Sequence, residues 1–144
     1  MTLELQQKER DTLQQSGRKM TAVDEKKKTI LIYSPDLNFC FSLAMLFQNK
    51  FNVITTTDPL TIESFVVHYF ANLLIIDAAP SEKMRQQMHA LKELNHELPI
   101  IALYVYSPRE SLLDQDVRQV VDSVFYKPFD LPTVSRRIND LLST

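Results

Sequence analysis

The chain has 144 residues, with 44% apolar and 24% charged residues and a formal net charge of −2. These values predict one soluble globular domain and give no reason to expect nucleic acid or an anionic membrane as a direct partner. One cysteine excludes an internal disulfide and a cysteine-based metal site, and one glycine excludes glycine-rich phosphate loops. No apolar run is long enough to span a bilayer and the N-terminus is too polar for a signal peptide, so we expect a cytoplasmic protein.

Residues 1–28 are predicted to be a polar N-terminal extension, and residues 29–144 a single domain. Leu5, Leu13 and Met20 make a sparse helical stripe in the extension. Two interpretations stay open. The extension is either a solvated, partly helical tail, or a helix that docks on its own domain or pairs with a second copy.

From residue 29 onward, short apolar segments alternate with amphipathic ones. The predicted strands are residues 29–33, 51–55, 73–77, 98–103 and 123–126. The predicted helix starts are Asp36, Asp58, Ser81, Ser107 and Asp130, which are residues that favour helix N-termini. The segment 73–77, Leu-Leu-Ile-Ile-Asp, has four consecutive apolar residues, which is typical of a strand buried on both faces.

Two details of the helices follow from the same patterns. Helical periodicity assigns an inner face to the first helix, made of Phe39, Leu43, Leu46 and Phe47. The segment 107–110, Ser-Pro-Arg-Glu, predicts a capping box at the start of the fourth helix. Five strand–helix pairs with short links predict an α/β fold with right-handed crossovers and a doubly wound parallel sheet. The flavodoxin-like strand order 2-1-3-4-5 is the expected one.

Polar side chains follow three of the predicted strands and should meet at one rim of the sheet. Ser34-Pro35-Asp36 follows the first strand, Asp77 ends the third, and Lys127 follows the fifth. Sites in open α/β sheets lie at the carboxyl ends of the strands, so any chemistry is expected at this rim. Asp77 and Lys127 have a plainer interpretation as a structural salt bridge, and Asp36 as a carboxylate at a helix N-terminus.

Residues 27–142 resemble the receiver domain of two-component response regulators. The resemblance is carried by Leu-Leu-Ile-Ile-Asp77, by the segment 99–107, Pro-Ile-Ile-Ala-Leu-Tyr-Val-Tyr-Ser, and by Tyr-Lys127-Pro-Phe-Asp130. It implies that Asp77 accepts a phosphoryl group from a sensor histidine kinase and that Lys127 contacts this group. It also implies a cis Lys127–Pro128 peptide bond and a non-enzymatic role in signal transduction.

The resemblance further implies a switch position and an interaction surface. Tyr104 stands where the family has the Thr or Ser whose hydroxyl moves inward on phosphorylation. A homodimer would form through the fourth helix, fifth strand and fifth helix. The charged residues predicted on that face are Arg109, Asp114, Asp116, Arg118, Arg136 and Arg137.

Other positions depart from the family pattern. The two acidic residues that hold Mg²⁺ are replaced by Ser34 and Pro35, and the nearest acid is Asp36. Because Mg²⁺ is a hard ion that prefers carboxylate oxygens in near-octahedral geometry, a site made of Asp77 with Asp36 is expected to be too weak, and no cofactor is expected. We therefore predict a degenerate pseudo-receiver that acts by binding a protein partner. The alternative is a working phospho-receiver that uses Mg²⁺, and a flavin-binding protein is the least favoured because the loop after the first strand is too short.

Overall fold

A computed structural model describes residues 26–143 and has the predicted alternation of strands and helices. Its strands are β1 (Thr29–Tyr33), β2 (Asn52–Thr56), β3 (Leu73–Asp77), β4 (Ile100–Tyr104) and β5 (Ser123–Tyr126). Its α-helices are α1 (Leu37–Phe47), α2 (Ile62–His68), α3 (Glu82–Leu94), α4 (Ser111–Val120) and α5 (Leu131–Leu142). The predictions for residues 1–25 lie outside the described residues.

The five strands form one parallel sheet in the order β2-β1-β3-β4-β5, which confirms the predicted strand order. Tyr33 pairs with Ile76 between β1 and β3, and Asp77 pairs with Leu103 between β3 and β4. Tyr104 pairs with Tyr126 between β4 and β5. This register brings the carboxyl ends of the strands level at one rim, where the polar residues of interest lie.

The core is divided between the two faces of the sheet. Leu73 and Ile75 of β3 belong to the cluster that packs against α1 and α5. Leu74 and Ile76 belong to the cluster that packs against α2, α3 and α4. Every residue of β3 is buried, which explains why this segment has apolar residues at consecutive positions instead of at alternate ones. Within residues 26–143, no helix has both the length and the apolarity that crossing a membrane requires.

Two details of the predicted helices are wrong. Leu46, predicted on the inner face of α1, is 54% exposed, whereas Cys40 is among the buried residues of this helix. The buried face of α1 follows positions 40, 43 and 47, and Leu46 lies beyond its edge. The capping box at Ser107 is also not formed. A turn of 3-10 helix (Pro108–Glu110) precedes α4, and the Glu110 N–H donates to the Ser107 backbone carbonyl oxygen.

Candidate functional site

Asp77 and Lys127 meet at the rim, as the sequence predicts. Asp77 is the last residue of β3 and is 7% exposed, while Lys127 directly follows β5. The Lys127 Nζ lies 2.5 Å from the Asp77 Oδ1. The structure therefore contains a close ion pair at the carboxyl edge of the sheet, whereas the functional roles predicted for the two residues remain predictions.

Ser34 completes the surroundings of the Asp77 carboxylate. Its buried Oγ donates a hydrogen bond of 2.7 Å to the Asp77 Oδ2, and it accepts one of 3.0 Å from the Asp36 N–H. Both Asp77 oxygens therefore have a partner from this chain. The sequence placed Ser34 at this rim because it directly follows β1, but it did not predict the hydrogen bond between Ser34 and Asp77.

Asp36 lies at the rim but serves α1. Its Oδ1 accepts hydrogen bonds from the Asn38 and Phe39 N–H groups, 2.9 and 3.4 Å away, so Asp36 is the N-cap of α1. Across residues 26–143, no group of three or more His, Cys, Asp or Glu side chains is arranged to hold a metal ion. One carboxylate with both oxygens engaged does not fit the oxygen-rich octahedral shell that Mg²⁺ requires.

Lys127 is held from several sides. Its Nζ lies 4.9 Å from the ring centroid of Phe39, a distance at which a cation is attracted to the ring face. Its backbone N–H donates to the Tyr104 carbonyl oxygen at 2.9 Å. The Lys127–Pro128 peptide bond is cis, as the resemblance implies. These contacts direct the ammonium group to the Asp77 carboxylate.

The predicted switch residue, Tyr104, belongs to a separate buried polar network. Its hydroxyl donates a 2.6 Å hydrogen bond to the Asp114 Oδ1, and the Tyr126 hydroxyl is 2.9 Å from both Asp114 oxygens. The Arg118 Nε lies 3.4 Å from the Asp114 Oδ2, and its guanidinium carbon lies 5.0 Å from the Tyr126 ring centroid. We call these four residues the Tyr104 network.

The prediction that Asp114 is a surface charge is wrong, because Asp114 is 6% exposed. It lies three residues before Val117 and seven before Val121, both of which are buried, so it shares the inner face of α4. A buried carboxylate is tolerated when hydrogen bonds and a cation satisfy it, and here two hydroxyl groups and Arg118 do so. The periodicity with Val117 and Val121 was the sequence signal for this burial.

Burial raises the pKa of Tyr104 and of Cys40. Burial is the main reason that the pKa of Tyr104 is raised far above its usual value, and the hydrogen bond to the Asp114 carboxylate adds to this effect. The Tyr104 hydroxyl is therefore a stable donor at neutral pH. Burial also raises the pKa of the Cys40 thiol, whose Sγ lies 3.7 Å from the Ser34 carbonyl oxygen, which agrees with a packed, unreactive cysteine.

No protein-family model and no curated protein matches this chain, but solved structures share its fold. A two-component response regulator from Clostridium difficile has a TM-score of 0.68 at 15% identity, over 81% of this chain and 97% of its own. The N-terminal signal receiver domain of a response regulator from Bacteroides fragilis has a TM-score of 0.67 at 17% identity, over 80% and 96%. A pilus assembly-related protein from Burkholderia pseudomallei has a TM-score of 0.66 at 19% identity, over 84% and 93%. The fold is thus that of response regulator receiver domains.

Proposed function

We propose that this chain is a receiver-like signalling module, not an enzyme, that acts by binding a protein partner without phosphoryl transfer. The observation that carries the proposal is the state of the Asp77 carboxylate. One of its oxygens accepts from Ser34, and the other is paired with Lys127. In the family that the sequence resembles, the position of Ser34 belongs to the acidic pair that holds Mg²⁺.

Electrostatics supports this interpretation. Transfer of a phosphoryl group to a carboxylate brings negative charges together, and such reactions depend on cations that offset this charge. At this rim Lys127 is already neutralised by Asp77, and a serine hydroxyl offers Mg²⁺ no charged ligand. We propose that Asp77 and Lys127 form a structural ion pair and that the domain functions without Mg²⁺.

The Tyr104 network also supports a role without phosphoryl chemistry. A switch residue must be free to reorient, whereas the Tyr104 hydroxyl is held by a buried carboxylate. The same network engages Asp114 and Arg118, two of the charges expected to serve recognition on the face made by α4, β5 and α5. Near this face Val105, Tyr106 and Leu112 are exposed, so a protein partner or a second copy that binds there would contact apolar side chains.

Phosphorylation tests the proposal directly. The full chain is incubated with Mg²⁺ and acetyl phosphate, and its intact mass is measured. We expect no gain of a phosphoryl group by the wild-type chain. The Ser34→Asp/Pro35→Asp double variant, which restores two acids after β1, is expected to gain one, and a further Asp77→Asn change should abolish this gain. A stable, Asp77-dependent gain by the wild-type chain would overturn the proposal.

The second candidate function is a working phospho-receiver, with Asp77 accepting a phosphoryl group from a sensor histidine kinase in the presence of Mg²⁺. It is favoured by the position of Asp77 beside Lys127 at the carboxyl rim. Its signature would be dimerisation or partner binding that depends on phosphorylation and is lost in the Asp77→Asn variant.

A further inference from the structure

Helix α1 presents an apolar stripe to the surface. Leu37, Phe41 and Met45 are 54, 56 and 69% exposed. They are spaced four residues apart, so they form one row along the helix. The core does not account for them, because Cys40 and Leu43 belong to the buried side of α1. We call Leu37, Phe41 and Met45 the α1 stripe.

Helix α1 also has no charged residue anywhere between Leu37 and Phe47. The outer sides of other helices are charged, as in α3, where Glu82 and Arg85 form an exposed ion pair. A surface helix normally directs charged side chains to solvent, and contiguous exposed apolar patches mark interaction sites. The stripe therefore has the composition of a contact surface.

Charged residues lie instead at the two ends of α1, and apart from the Asp77–Lys127 ion pair near Phe39 the two ends differ in sign. Asp36 caps the N-terminal end. Lys50 follows the C-terminal end, and the Lys27 Nζ lies 3.5 Å from the carbonyl oxygen of Gln48, the C-cap of α1. The helix thus has a negative side chain at one end, lysines at the other and an uncharged stripe between them.

We propose that the α1 stripe packs against the α1 stripe of a second copy of this chain, with the two helices antiparallel about a two-fold axis near Phe41. In such a contact Phe41 of one copy faces Phe41 of the other, and Leu37 of each copy faces Met45 of the other. A row at every fourth residue is the ridge that packs in the commonest helix-crossing class, at about −50°. The antiparallel arrangement brings the Asp36 end of each helix close to the lysine end of the other.

The absence of charge favours a second copy over other occupants. A two-fold contact places the side chain at the axis near its own equivalent, so a charge there would meet a like charge, and the uncharged stripe avoids this repulsion. Residues 1–25 are rich in charged side chains and carry only a sparse apolar row at Leu5, Leu13 and Met20, so they complement the stripe poorly. The stripe is also separate from α4, which packs on the opposite face of the sheet.

Sedimentation equilibrium of the full chain over a range of concentrations tests the proposal. We expect a reversible dimer, and we expect Phe41→Glu to raise its dissociation constant by about thirtyfold or more, as for a central aromatic anchor. Leu60→Glu is the matched control at an exposed leucine outside the stripe, and it should leave the dissociation constant unchanged. Leu112→Glu tests the alternative contact at the α4–β5–α5 face. Circular dichroism checks that each variant is folded.

A charge-swap experiment tests the two-fold geometry. Phe41→Glu and Phe41→Lys chains are each expected to be monomeric, and their mixture is expected to form a heterodimer because the two charges face each other at the axis. The proposal is overturned if the wild-type chain stays monomeric, or if the mixture does not associate. It is equally overturned if Leu112→Glu weakens the dimer and Phe41→Glu does not, because the contact would then lie at the α4–β5–α5 face. Phosphorylation of Asp77 would contradict the proposed function without affecting these results.

Discussion

Replacing Tyr104 with phenylalanine should destabilise the fold although it removes a single oxygen atom. The Tyr104 hydroxyl donates at 2.6 Å to the Asp114 carboxylate, and both side chains are buried. A hydrogen bond to a charged group contributes about 1.5–3 kcal/mol to stability. Because Asp114 keeps Tyr126 and Arg118 as partners, we expect a loss near the lower end of this range, about 1.5 kcal/mol.

The assay is urea unfolding at neutral pH, followed by far-UV circular dichroism. Tyr106→Phe is the matched control, because Tyr106 is partly exposed and its ring packs on the same Tyr126 ring, with centroids 5.2 Å apart. We expect the control to change the free energy of unfolding by less than about 0.5 kcal/mol. If Tyr104→Phe has as small an effect as the control, the reasoning is refuted, because the buried hydroxyl would then make no net contribution to the free energy of unfolding.

The same variant should alter the response to alkaline pH. The pKa of Tyr104 is 10.0 when unperturbed and higher in the folded chain, so above pH 10 the unfolded chain loses this proton before the folded chain does. The contribution of Tyr104 to the free energy of unfolding is therefore constant below pH 10 and falls as the pH rises above it. The Tyr104→Phe chain should show a shallower loss of stability in this alkaline range.

Three other predictions use the same unfolding assay. Lys127→Met should lower the free energy of unfolding by about 1–3 kcal/mol, because it leaves the Asp77 carboxylate without its cation. The effect is smaller than for a fully buried pair because the Lys127 side chain is 32% exposed. Adding Asp77→Asn to the same chain should recover part of the lost stability. Ser81→Ala should lower the free energy of unfolding by about 1 kcal/mol, because the Ser81 Oγ caps the N-terminus of α3. Ser107→Ala is the control, because it removes no side-chain cap and should leave the stability unchanged. Equal effects of the two substitutions would contradict the assigned caps. Phe70→Gly should stabilise the fold by about 1 kcal/mol, because Phe70 is exposed and has a φ of 52°; a loss of stability would show that its ring contributes to packing.

Much of the architecture was predictable from local patterns and general rules of topology. The four apolar residues before Asp77 predicted a strand buried on both faces, and β3 is the central strand of the sheet. Alternating strands and helices with short links leave few allowed topologies, so the strand order followed. Because parallel strands end at the same rim, the meeting of Asp77 with Lys127 followed from their positions after β3 and β5.

The tertiary structure alone decided which hydrogen bonds and ion pairs the polar side chains form. Ser34 satisfies the second oxygen of Asp77, and Asp114 is buried between Tyr104 and Tyr126. These contacts join residues from different elements, and their formation depends on positions that are set to within about an ångström by packing. Periodicity locates a helical face only to within a residue or so, which is why it placed Leu46 inside. Asp114 was placed outside by the resemblance to the family, although its spacing from Val117 and Val121 indicated burial. The pattern of apolar residues determined the sheet, whereas the packing of distant segments determined the chemistry at its rim.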